Sequence, residues 1–349
     1  MANSPTVRHS LPKLKKGISM KKKLSSIAIS TAMTLALGLT FAITSQAAVE
    51  PNVGVACKRL GSTAEVGLIT YRCSNVAGKR EWAEPWFTGL KKSAKLYRSL
   101  PADIKTKGKL TFATDPTDPP FQFYSAANDL VGAEIDLANA VGKVLGVKVE
   151  FVTSGFSAII PGVEAGRFDA SVSAFASTTA RQKIVDFVTY FNSSRAFLYR
   201  KGTLPSIKNE ADLCGLKVGI PAGTTMATAI VGLSTNCTTA GKSAIAYSLY
   251  PDQATTVLAV KSGRADLTIL SAHVSSWWQQ NGNGEFDVLL RPTEGADYNG
   301  MVVRKGSLTN VMQKAIQKLM DDGTFTTIFT KWNIEKLARD EAAINISTR

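Results

Sequence analysis

The chain holds two histidines, His9 and His273, and His9 lies in a segment that reads as an export signal. One remaining imidazole cannot assemble a His-based metal cluster. No Gly-x-Ser-x-Gly elbow offers a serine for His273 to activate, and His273 reads as a polar residue near a cleft rim. The four cysteines, Cys57, Cys73, Cys214 and Cys237, make no C-x-x-C pair for zinc or redox exchange. They permit three pairings. The local one, Cys57–Cys73 with Cys214–Cys237, joins residues of one segment, and disulfides persist outside the cytosol. Cys57 fits lipid attachment poorly, with Gly54 rather than Leu three positions before it. No metal or cofactor is expected, and what remains is binding chemistry. Gly223-Thr224-Thr225 precedes a helical stretch, where backbone N–H groups and the helix dipole favour an anion. A threonine there equally suits a plain N-cap. Asp115 and Asp118 stand in a turn stiffened by Pro116, Pro119 and Pro120, because each proline fixes φ.

The elements that must position these residues alternate. Lys109–Thr114 is strand-like. Ile135, Leu137, Ala138, Val141, Val144 and Leu145 mark a helix that Gly146 can cap. Val147–Val152 is strand-like again, a helix follows over 157–166, and a strand near 170–174. The pattern restarts with a strand at 216–221, a helix, a helix at 254–262 and a strand at 265–270. A last helix spans about 308–320. Strands alternating with helices predict α/β units with largely parallel sheets, and two such units in succession predict two facing lobes. Upstream, Cys57 to Trp82 reads as a small β-hairpin unit stapled by a disulfide, followed by a helix over 83–100.

The formal net charge is +14, yet residues 1–47 carry seven basic residues and no acid. Without them the charge is 34 minus 27, or +7, spread over the chain. No basic stripe interleaved with aromatics appears, which argues against nucleic-acid binding. Lys21-Lys22-Lys23, the apolar run Ile27–Ile43 and the small-x-small end Ser45-Gln46-Ala47 form an export signal. The run is at the short limit for a membrane span, about 17 residues. Met20 is an alternative start to Met1.

In order and spacing, the segments from Gly108 to about Ile334 resemble the family 3 extracellular solute-binding proteins of ABC transporters, which mostly serve polar amino acids. The fragments that carry the resemblance are Asp115…Pro119-Pro120-Phe121, Val131-Gly132-Ala133-Glu134-Ile135-Asp136-Leu137, Phe156-Ser157-Ala158, Gly166-Arg167-Phe168-Asp169-Ala170, Thr178…Arg181, Gly223-Thr224-Thr225, Gly263-Arg264-Ala265-Asp266 and Asp322-Gly323-Thr324-Phe325. Residues 57–82 also resemble a short Cys-Gly-Tyr-Cys-Trp module of exported actinobacterial proteins. The resemblance implies a type II periplasmic-binding-protein clamp. Its expected divisions are a signal region 1–47, a small module 48–100, lobe 1 from 108–193 plus 297–349, and lobe 2 from 197–292. The implied function is capture of a small carboxylate-bearing, amino-acid-like ligand by hinge closure. The implied partner is a membrane ABC permease, served by a monomeric, exported protein.

The same resemblance gives Arg181 the ligand carboxylate, which its planar fork suits. It makes Phe156 a cleft wall and Ser173 and Ala174 ligand contacts, with Gly223–Thr225 a second anion contact from lobe 2. Two positions depart from the family pattern. Ser271 stands where an aspartate commonly holds the α-ammonium, and Asp118 where an aromatic lid is usual. Asp118, with Asp115, is therefore expected to meet the cationic part of an atypical ligand, unless it only caps the turn before Pro119. The enzymatic alternative is an exported cyclohexadienyl dehydratase on the same fold, with Asp118 or Glu294 as its acid.

Overall fold

The structure is a computed structural model that describes residues 56–347 except 61, 67–68, 77–78, 84–88, 127, 205 and 292–296. The expected signal region, and Glu294, lie outside the described residues. Among the described residues no helix is long and apolar enough to cross a membrane.

Two sheets with separate cores make the two lobes. The first has six strands in the spatial order Ala338–Ile344, Asp186–Ser193, Asp297–Val303, Ala170–Ala176, Lys109–Thr114 and Lys148–Thr153. The second has five, in the order Ala246–Tyr250, Lys217–Pro221, Leu267–Ser271, Arg195–Arg200 and Phe286–Arg291. Both sheets are mixed rather than largely parallel. Lys109–Thr114 runs parallel to its two neighbours, and Lys217–Pro221 does the same. The strands that carry the chain between lobes, Asp186–Ser193, Arg195–Arg200, Phe286–Arg291 and Asp297–Val303, pair antiparallel. Only Ser194 separates the first pair of these strands, so the chain passes from one sheet straight into the other.

The predicted helix forms over Ala133–Leu145 and ends at Gly146, whose φ of 68° lets its N–H reach the carbonyls of Gly142 and Lys143. Its start is fixed by Gly132 at φ 134°, where a Cβ would lie 2.2 Å from the Phe121 carbonyl oxygen. A glycine is required there, and it brings the helix against the Phe121 segment. Asp136 then takes bonds from Lys331 Nζ at 2.8 Å and Trp332 Nε1 at 2.7 Å, tying this helix to the end of Thr324–Lys331.

The upstream module is a three-stranded antiparallel sheet, Thr63–Val66, Ile69–Val76 and Lys79–Ala83, one strand more than a hairpin. Cys57 and Cys73 are bonded there, and Cys214 and Cys237 in the second lobe, which is the local pairing. Over 83–100, where a helix is expected, the described residues are helical at Gly89 and over Ala94–Ser99. Ser93 accepts a bond from Leu96 N and caps the latter, so residues 90–93 lead in without helical turns.

Candidate solute-binding cleft

The cleft lies between the two sheets at the strand ends. Asp115, Asp118, Phe156, Ser173, Ala174, Arg181, Thr224, Thr225 and Ser271 all line it. Gly223 does not, but its carbonyl accepts a bond from Arg181 Nη2 at 2.9 Å. The two lobes thus touch directly where one anion was expected to bridge them.

Arg181 sits in a single helical turn, Thr179–Gln182, whose N-cap Thr178 accepts a bond from the Arg181 backbone N–H. Its Nη1 donates to the Ala176 carbonyl at 2.9 Å. The guanidinium lies 5.2 Å from the Phe175 ring centroid, and that ring stacks on Phe156 at 4.1 Å. Burial lowers Arg181 to about 10, so it stays charged at neutral pH. Two of its five N–H donors are used, and the rest can meet a carboxylate.

Asp115 is buried in the same lining, on the first lobe. Its backbone N–H donates to Ser173 Oγ at 2.9 Å, and its carboxylate accepts from Thr117 Oγ1 and the Phe156 N–H. Burial raises it to about 6, with Asp252 and Asp118 adding repulsion. Ala174 has φ 48°, unusual for a residue with a Cβ. Its N–H donates to Glu134 Oε2 at 2.8 Å, and its carbonyl accepts from Asn299 Nδ2 at 2.7 Å. Glu134 is fully buried, also takes the Tyr190 hydroxyl bond, and is raised by burial to about 8.

On the second lobe Thr224 is the N-cap of the helix Thr225–Thr239, accepting from Ala227 N. Ser271 precedes the helix Ala272–Asn281 and faces the cleft without a capping bond. His273 is not at the rim. It is buried, and its Nε2 lies 2.9 Å from Asp118 Oδ1.

Among the lining residues that escaped the sequence reading are Arg195, Asp252, Asp297 and Asn299. Arg195 and Asp297 face each other at 3.6 Å where the chain crosses between lobes. Asp252 caps the helix Gln253–Lys261 through Thr255 N at 2.7 Å. The sole signal for Asp252 was its cap position before a predicted helix.

A family model described as bacterial extracellular solute-binding proteins, family 3, matches residues 110–335. The chain belongs to this family. The match spans every cleft residue described above and both sheets except the edge strand Ala338–Ile344. Among family relatives, the arginine-binding protein ArgT of Corynebacterium glutamicum is 29% identical, over 70% of this chain and 81% of its own. A solved structure of an ancestral arginine-binding protein bound to arginine is 34% identical, with a TM-score of 0.59, covering 64% of this chain and 98% of that one. The ancestral amino-acid-binding protein AncCDT-1, described as a precursor of cyclohexadienyl dehydratase, is 28% identical at a TM-score of 0.57, covering 66% and 97%.

Proposed function

We propose that this family 3 protein is exported, captures a basic amino acid between its lobes, and delivers it to an ABC permease as a monomer. The charge inventory of the cleft carries this reading. Its lining has two guanidiniums, Arg181 and Arg195, and four carboxylates, Asp115, Asp118, Asp252 and Asp297. Arg195 faces Asp297, and Asp118 is taken by His273. What is left for a solute is one guanidinium and two carboxylates. Their complement is one carboxylate and two cationic groups, which is a basic amino acid at neutral pH. Arg181 takes the carboxylate, and Asp115 and Asp252 share the ammonium and the side-chain cation, so Ser271 need not carry charge. Phe156 walls the site, Ser173 and Ala174 line it from the first lobe, and Gly223, Thr224 and Thr225 close it from the second. The named binding specificities of the arginine-binding relatives point the same way. On this reading the lobes divide near 193–197 and 292–297, and residues 1–47 direct export. The protein binds without turning its solute over: Asp118, one of two candidate acids for a dehydratase, is held by His273.

A thermal-shift panel of basic, neutral and acidic amino acids, cystine and prephenate tests it. A solute at 100 times its Kd stabilises by about 2.7 kcal/mol. Arginine, lysine or ornithine is expected to shift the melt, and a shift with acidic or amine-free solutes alone would overturn the reading. Affinity also carries a pH signature. Asp115 must be ionised to meet a cation, and its folded-state value is about 6. Affinity for a basic solute therefore falls as pH drops through about 6, by about tenfold per unit at most. Calorimetry at pH 8 and pH 5 reads this, and equal dissociation constants would exclude Asp115 as the partner.

A further inference from the structure

The helix Ala272–Asn281 belongs to the second lobe, packed along Arg195–Arg200, Leu267–Ser271 and Phe286–Arg291. Its first turns nevertheless meet the first lobe at two points. His273 Nε2 bonds Asp118 Oδ1 at 2.9 Å, and the imidazole lies 4.6 Å from the Phe121 ring centroid and 6.4 Å from that of Phe191. Phe121 and Phe191 are core residues of the first lobe, stacked on each other at 4.4 Å. One turn further along, Trp277 packs against Phe123 at 5.8 Å. Residues four apart share a helix face, so one face of this helix meets the Asp118–Phe123 segment. The two bonded side chains are 3% and 7% exposed, so water does not compete for the bond. Asp118 lines the cleft, whereas His273 does not.

We propose that His273 is a positioning residue that latches the second lobe to the first through Asp118 when the clamp is closed, and so sets how long the solute is held. The inference rests on the solute-binding reading above. It gives Asp118 a different part from a direct solute contact: the carboxylate bonds an imidazole supplied by the protein. A ligand favours the closed form only by its greater affinity for that form. A latch adds to the closed form without touching the solute, so it slows release for every solute alike, whatever its side-chain charge.

The experiment uses the mature chain from Ala48, with off-rates measured by stopped-flow for arginine and for whichever neutral amino acid binds, and small-angle scattering without solute. His273→Ala is expected to raise the off-rate roughly 10- to 100-fold for both solutes, the size of a lost hydrogen bond to a charged group. On-rates should stay within about twofold, because affinity changes within one site fall mostly on dissociation. His273→Gln, which keeps a donor of similar reach, should recover most of the lost residence time. Without solute, His273→Ala should expand the radius of gyration as the clamp opens. Unchanged off-rates and unchanged scattering would overturn the latch. A rise in arginine affinity alone would also overturn it, since freeing Asp118 would then improve a direct contact. If the wild type binds no amino acid, the solute reading fails, and scattering of the two variants still decides the latch.

Discussion

Replacing Arg181 with Ala is expected to weaken solute binding by roughly 30- to 4,000-fold, about 2–5 kcal/mol, the usual cost of truncating one partner of a desolvated, hydrogen-bonded charge pair. Arg181 lines the cleft and already spends two donors on Ala176 and Gly223 carbonyls, one in each lobe. The remaining donors are the ones proposed to meet the solute, and the Phe175 and Phe156 rings flank the guanidinium. Lysine keeps the charge but not the fork, so Arg181→Lys should fall between wild type and Arg181→Ala. The fold should survive both changes, because the guanidinium sits at the cleft and outside the four apolar cores. Calorimetry with arginine and a thermal melt without it separate the two effects. A cooperative melt at the wild-type temperature with an unchanged Kd would remove Arg181 from the site.

The second large effect is on stability and belongs to Glu134. It accepts bonds from the Ala174 N–H and the Tyr190 hydroxyl inside the first lobe. Glu134→Ala strands both donors in the core, at about 1–3 kcal/mol each. The same change releases one of the two bonds that hold Ala174 at φ 48°, so solute affinity should fall as well. Glu134→Gln is expected to be mild. Its amide oxygen can accept from Ala174, and its NH2 can donate to the Tyr190 oxygen. The two variants also differ from wild type in pH response. Burial raises Glu134 to about 8, so the folded state binds its proton more readily than the unfolded chain does. Stability from this group is therefore full below the unfolded value, about 4.5, and declines as pH rises toward about 8. Chemical denaturation from pH 5 to pH 8.5 should show that slope in wild type and less of it in Glu134→Gln. Identical slopes in the two would mean that Glu134 ionises as freely in the fold as outside it.

Much of the scaffold was legible because its signals are local. The apolar spacing from Ile135 to Leu145 and the Gly146 cap sit within one helix, and the strand at Lys109–Thr114 is bounded as its pattern predicts. Thr224 before its helix and Thr178 before Arg181 are likewise local caps. The cysteines pair locally, as the sequence favoured among three pairings, across separations of 16 and 23 residues. Strand direction was not legible, since an alternating pattern reads the same in both senses; this is why the antiparallel crossover strands were missed. The cleft's charge partners were hidden for a related reason. His273 meets Asp118 across 155 residues of chain, and Asp297 reaches Arg195 only through the return crossover. A single buried histidine looks in sequence like any surface one. The ordered family fragments located Asp115, Arg181, Thr224 and Ser271 in one cleft, but not Asp252, the second carboxylate of the proposed charge complement.

Isothermal titration calorimetry of the mature protein with L-arginine and L-glutamate at pH 7.5 tests the charge complement of the cleft most directly. One guanidinium against two free carboxylates predicts saturable one-to-one binding of arginine and no measurable heat with glutamate. Glutamate binding at least as tight as arginine would contradict it.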